Sequence, residues 1–189
     1  MKLSTAVCLG AGLIVWFLPG QAQAQRRHDP LNEQEIDQLR DSAQDPDTRL
    51  RLYIKFAQQR LEAAEAARSD PKVTDAGQQI HDRLQEFEDL YDELDDNVDT
   101  YADQRQDIRH VLKAVIEADA EFQKKLQALK DAKTTKQADQ YQFVLSDAID
   151  DLSDSAKDHT QLLAEQEEAA KQKKLIKPQP PSRANLKPQ

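Results

Sequence analysis

The chain has 189 residues, 35 Asp plus Glu against 26 Lys plus Arg, a formal net charge of −9, four glycines, one cysteine and one tryptophan. Three of the glycines, Cys8 and Trp16 fall within the first two dozen residues, and beyond them Gly77 stands alone. That inventory leaves nothing for a phosphate-cradling loop, a dinucleotide fingerprint or a nucleophile elbow, and no cysteine for a disulfide, a thiolate or a closed zinc site.

In chain order, residues 1–24 read as a signal peptide. Lys2 supplies a positive start, residues 6–18 are apolar, Pro19-Gly20 breaks the run, and Ala22-Gln23-Ala24 offers the small-x-small pattern of a cleavage site. The apolar run is shorter than the about 20 residues a membrane span needs. Cys8 lacks the preceding small residues of a lipidated cysteine. The expected mature chain starts at Gln25, is exported to the periplasm or beyond, and keeps no stable membrane span.

Residues 25–31, with Arg26, Arg27 and Pro30, read as a flexible arm. Asn32 followed three residues on by Glu35 is a capping box, so a short helix is expected over about 33–44 with Ile36, Leu39 and Ala43 on its apolar edge. Asp45-Pro46 restarts the chain as N-cap and first helical residue. The second helix, about 46–67, buries Leu50, Tyr53, Ile54, Ala57, Leu61 and Ala64. Asp70-Pro71 ends it and Gly77 closes the linker.

Residues 78–131 contain no Gly or Pro and step by alternate fours and threes through Ile80, Leu84, Phe87, Tyr91, Leu94, Val98, Tyr101, Arg105, Ile108, Leu112, Val115, Asp119, Phe122, Leu126 and Leu129. A stripe recurring every 3.5 residues buries itself against another helix. Read as one helix, the segment extends about 80 Å at 1.5 Å per residue, and the helices before and after it each fold back along one half. The other reading breaks it in the polar stretch 103–107, with Asp103 capping the restart and Arg105 as the one fault in the stripe, giving a compact bundle of four or five shorter helices. The unbroken rhythm favours the single helix.

Thr134-Thr135 marks a turn, and a last helix over about 137–171 continues the stepping through Ala138, Tyr141, Leu145, Ala148, Leu152, Ser155, His159, Leu162 and Gln166. Residues 172–189, rich in Lys and Pro, read as a disordered tail. The expected architecture is all-α: one helical domain over 32–171, an elongated antiparallel bundle or coiled-coil-like hairpin.

No catalytic, cofactor or metal-ligating residue is assigned. His28, His81, His110 and His159 are spread one per segment. Asp107 and His110 share a helix face, half of the i, i+3 pattern of di-iron bundles, and without a twin they read as a solvated pair. Eight acids crowd residues 86–99 (Glu86, Glu88, Asp89, Asp92, Glu93, Asp95, Asp96, Asp99). They read as a repelling exposed face that divalent cations would relieve. Arg105 and Asp119, two heptads apart, are either a register device or a recognition pair. Tyr91 and Tyr101 read as core.

Charge divides the mature chain. From Ala169 on there are six basic residues and no acid, which leaves the body, 25–168, at −16. Such a body is a poor nucleic-acid binder, since phosphate contacts need clustered Lys and Arg. The tail either solvates the chain or attracts an anionic envelope surface, lipid headgroups or wall polymer, at about 1 kcal/mol per Lys near a membrane.

The stretch Glu35-Ile36-Asp37-Gln38-Leu39-Arg40, then Asp45-Pro46 and Arg49-Leu50-Arg51-Leu52-Tyr53-Ile54-Lys55-Phe56, resembles a recurring motif of uncharacterised exported helical proteins of acidobacterial genomes. The block from Tyr91 to Tyr101 resembles them in the same way. The resemblance spans about 31–131; it implies an exported helical protein and brings no activity or ligand. The expected function is therefore a non-catalytic interaction or scaffold protein of the bacterial cell envelope, meeting a protein partner or a second copy through its helix seam. A periplasmic holdase chaperone and a low-affinity divalent-cation binder are the alternatives.

Overall fold

Five α-helices and one 3-10 turn account for most of the described chain, residues 29–132 and 137–176 of a computed structural model. The signal segment, most of the arm, the Thr134-Thr135 turn and the tail beyond Ile176 lie outside the described residues. Helix α1 spans Glu33–Asp41 and opens with the expected capping box: Glu35 N–H donates to Asn32 Oδ1 and Asn32 N–H to Glu35 Oε2. Helix α2 spans Pro46–Ser69; Asp45 Oδ1 accepts from the N–H groups of Asp47 and Thr48, and Pro46 sits in the first turn, where its missing N–H costs nothing.

The segment 78–131 is two helices, not one. Helix α3 is Ala76–Asp103 and α4 is Arg109–Asp131, about 42 Å and 35 Å long at 1.5 Å per residue. Arg105 makes the break, with φ at 58°, in the left-handed region. Around it Arg105 N–H donates to Ala102 O at 2.8 Å and Gln106 N–H reaches back to Tyr101 O at 3.0 Å. These two bonds form a Schellman motif, the helix stop that usually carries glycine at the left-handed position. The five polar residues 103–107 outweigh the unbroken rhythm because none of them has apolar surface to gain by staying in the seam. The stripe resumes in phase at Ile108. A 3-10 turn at Ala138–Gln140 precedes α5, Gln142–Ile176. The last helix thus starts later than expected and runs on through 172–176, residues assigned from the sequence to the tail.

Cross-helix bonds give the directions. Arg49 reaches Asn97 while Arg60 reaches Glu86, so α2 and α3 run antiparallel. Asp119 meets His159 while Lys113 meets Glu167, so α4 and α5 do too. Asp47–His110 and Glu65–Lys125 lay α2 parallel to α4, and Asp95–Ser155 with Gln106–Gln166 lays α3 parallel to α5. The molecule is an all-α bundle of two antiparallel hairpins, α2–α3 and α4–α5, docked side by side in the same sense. All thirteen apolar or tyrosine positions of the expected stripe are buried, and α2 and α5 bring Leu50, Phe56, Leu61, Leu145 and Leu152 against them. Phe122 of α4 meets both Phe87 and Tyr91 of α3 edge-on, at 5.4 and 6.4 Å between ring centres. The seam is filled by the chain's own helices.

Candidate functional site

Two polar clusters interrupt this apolar interior. The deeper joins three helices. Tyr91 and Asp95 stand one turn apart on α3, Asp119 faces them from α4, and Ser155 and His159 stand one turn apart on α5. Asp119 and His159 are only 2 % and 1 % exposed. Tyr91 Oη donates to Asp119 Oδ1 at 2.9 Å, and His159 Nδ1 donates to Asp119 Oδ2 at 2.9 Å. On the other side of the ring, His159 Nε2 pairs with Asp95 Oδ1 at 3.0 Å, and Ser155 Oγ donates to Asp95 Oδ2 at 3.3 Å. Burial by itself would lower the imidazole's affinity for its proton. The hydrogen bonds to Asp119 and Asp95, and their charges, outweigh it and raise His159 to about 9. His159 is therefore an imidazolium between two carboxylates at neutral pH. Tyr91 is shifted upward by burial and by the Asp119 charge, so its phenol stays protonated.

Chemically this arrangement holds a proton on His159 at neutral pH. A general base needs a free lone pair; the charged ring has none, with Nδ1 bonded to Asp119 and Nε2 facing Asp95 as an ion pair. Asp119 is thus the buried seam polar anticipated from the sequence, but its partners are His159 and Tyr91. Arg105, read as its possible companion, lies exposed in the turn. Asp107 and His110 also part company: Asp107 pairs with Arg109, while His110 Nδ1 meets Asp47 Oδ1 at 2.8 Å across the α2–α4 contact. Tyr91 and Tyr101 are both core residues.

The second cluster pins α1 to the first hairpin. Arg60 of α2 donates to both oxygens of Glu35, at 3.0 and 2.6 Å, and to Pro30 O. Its Nε faces Glu86 Oε2 of α3 at 3.0 Å, where Arg83 also arrives at 2.6 Å. Glu35 thereby serves as helix cap and ion-pair partner at once. Burial opposes its charge, but Arg60 and the Asn32 N–H hold its carboxyl below the usual range. Sequence reasoning placed the cap and missed the pair, because nothing local links residues 35, 60 and 86.

Elsewhere the acidic run divides. Glu86 turns inward to the arginines, whereas Glu88 and Asp92 face α5. Among the described residues no three His, Cys, Asp or Glu side chains are grouped so as to hold a metal ion. Among the described residues Phe143 is the exposed large hydrophobic, at 77 %, on the lip of a cleft of about 520 Å³ lined also by Leu129, Tyr141 and Leu145. No helix among the described residues is long and apolar enough to cross a membrane. The fold defines the class, an all-α bundle of two parallel-docked helical hairpins. Comparison with protein-family models, curated proteins and solved structures finds no match.

Proposed function

We propose that this chain is an exported, non-catalytic helical interaction or scaffold protein of a bacterial envelope, related in kind to the exported helical proteins its motifs resemble. One observation carries the reading. The groups best suited to chemistry, His159, Asp119, Tyr91 and Arg60, are spent on holding helices together, and the apolar stripe is consumed inside the bundle. What faces outward is charge: the exposed acids Glu93, Asp96 and Asp99 on α3, and Lys171, Lys173 and Lys174 at the end of α5. Such a surface works by contact. A holdase needs broad exposed apolar area to grip unfolded clients, and among the described residues Phe143 alone is little of it.

The test is capture from the native envelope fraction by the tagged mature chain, read by mass spectrometry at low and high salt. A protein held by the wild type and released when Glu93, Asp96 and Asp99 become Gln, Asn and Asn supports the scaffold. No retained partner, together with substoichiometric suppression of client aggregation, would replace it with the holdase. The basic end is tested separately: co-sedimentation with anionic vesicles is expected to be lost on deleting 169–189, and indifference to that deletion removes the anionic-surface role.

A further inference from the structure

The contact between α3 and α5, which joins the two hairpins, has two unlike halves. In one, Asp95 meets Ser155 and the His159 imidazolium, so opposite charges face each other. In the other, nearer the start of α5, Glu88 and Asp92 of α3 face Asp147 and Asp151 of α5, which flank the buried Ala148 and Leu152. Glu88 is the centre of this half. Its Oε2 accepts from Gln85 at 3.2 Å, while Oε1 is buried with no donor upon it among the described residues. The charges that bear most on it are all negative, Asp147 and Asp151 from α5 and Asp92 and Asp89 from its own helix.

A buried carboxylate oxygen without a donor, facing like charges across a helix interface, is an unfavourable contact that a proton relieves. We propose that this face is an acid-closed clasp between the hairpins: protonation of Glu88 seats the first half of α5 against α3, and loss of that proton loosens it. Glu88 is shifted accordingly, to about 8, by burial first and by the four carboxylates after it; Asp92 moves in the same direction by burial and by Asp151. When the clasp opens, Glu88 returns to water and the ordinary carboxylate range. Closure therefore takes up one proton, and each pH unit between about 5 and 8 changes the closed-to-open ratio by up to tenfold. The proton on His159 adds at most about twofold between pH 5 and 6.5, because an unpaired imidazole, with its ordinary value of about 6.5, is still at least half protonated there.

The experiment is amide hydrogen exchange on the mature chain at pH 5 and pH 6.5, corrected for the intrinsic rate and followed over residues 144–152. In the wild type, protection is expected to fall by up to about thirtyfold over that interval. Glu88→Gln, neutral at both pH values, is expected to keep most of the high protection. Asp147→Asn with Asp151→Asn, should Glu88→Gln fail to fold, is expected to raise protection at pH 6.5 and flatten the slope. Wild-type protection independent of pH overturns the clasp, as does a variant slope as steep as the wild type's.

Discussion

Replacing Arg105 by glycine is expected to stabilise this protein, although arginine is the better helix former. Arg105 occupies the left-handed position of the Schellman turn that separates α3 from α4. An L-residue held there costs roughly 1–2 kcal/mol through the crowding of Cβ against the carbonyl. Glycine removes that strain but loses about 0.5–1 kcal/mol more conformational freedom on folding. The difference, about 0.5–1 kcal/mol, corresponds to a rise of roughly 1–4 °C in Tm for a chain of this size. Arg105→Ala is the control: it removes the same charge and stem but keeps the Cβ, so it is expected to leave Tm unchanged or slightly lower. Thermal unfolding followed by circular dichroism at 222 nm measures both variants. Should Arg105→Gly melt below the wild type, or Arg105→Ala gain as much, then the turn is not strained and the reasoning fails. Either result would also revive the continuous helix over 78–131, whose interior glycine is destabilising.

Gly77 makes the opposite case. A Cβ there would press on Gln140 Oε1, and would stand 2.6 Å from Gln137 Cβ and 2.9 Å from Gln137 O. Gly77→Ala is thus expected to cost about 1–3 kcal/mol in urea unfolding, despite alanine's helical advantage. His159→Gln, which leaves Asp119 and Asp95 facing each other without the imidazolium, is expected to cost about 3–5 kcal/mol, and Tyr91→Phe about 1 kcal/mol; equal losses in the two would show that the imidazolium is not the keystone. The His159 proton also predicts a pH profile. Its folded value lies above its unfolded one, so its stabilisation is full below about 6.5 and fades as pH rises through about 9. Glu35, Asp47 and Asp107 are shifted the other way by their arginine and histidine partners, and their contribution fades as acid protonates them. Tm measured against pH is expected to peak in mild acid, near about 5, and its decline between 6.5 and 9 to become shallower in His159→Gln, with the Glu88 contribution remaining up to about 8; a plateau from 5 to 9 would contradict the His159 and Glu88 shifts.

Local signals in the sequence went far because each is short in range. The Asn32–Glu35 box, the Asp45-Pro46 start and the buried stripe depend on residues within one or two turns, and the structure has all three. The break at Arg105 shows in the sequence as a polar stretch, 103–107, with one polar residue in the seam. Asp103 ends α3 and does not cap the restart, where Ile108 holds the N-cap position of α4. The phase of the stripe survives the turn, and phase was the stronger-looking signal. Partnerships across helices were not legible. Asp119, Ser155 and His159 each stand out as polar residues on an apolar stepping position. The antiparallel α4–α5 hairpin joins Asp119 to His159, and the parallel docking of the two hairpins sets Asp95 beside Ser155 and Gln106 beside Gln166. That docking follows from the chain turning back twice, at Arg105 and again before α5, and no periodicity encodes it.

The same docking explains why a charged network persists where leucine would pack. Helices with heptad stripes can slide past one another by a whole heptad and still match apolar to apolar, so hydrophobic burial alone leaves the register degenerate. Asp119 breaks the degeneracy. Only in the observed register does its carboxylate meet both the Tyr91 hydroxyl and the His159 ring. A slip of seven residues on α5 would set it against Leu152 or Gln166 and leave a buried charge uncompensated, at several kcal/mol. Asp95 extends the lock to the second parallel pair, since it reads His159 and Ser155 from α3 while Asp119 reads His159 from α4. One histidine therefore fixes α5 against two helices that belong to different hairpins, which is what a bundle with no disulfide in its helical body needs in order to choose a single arrangement.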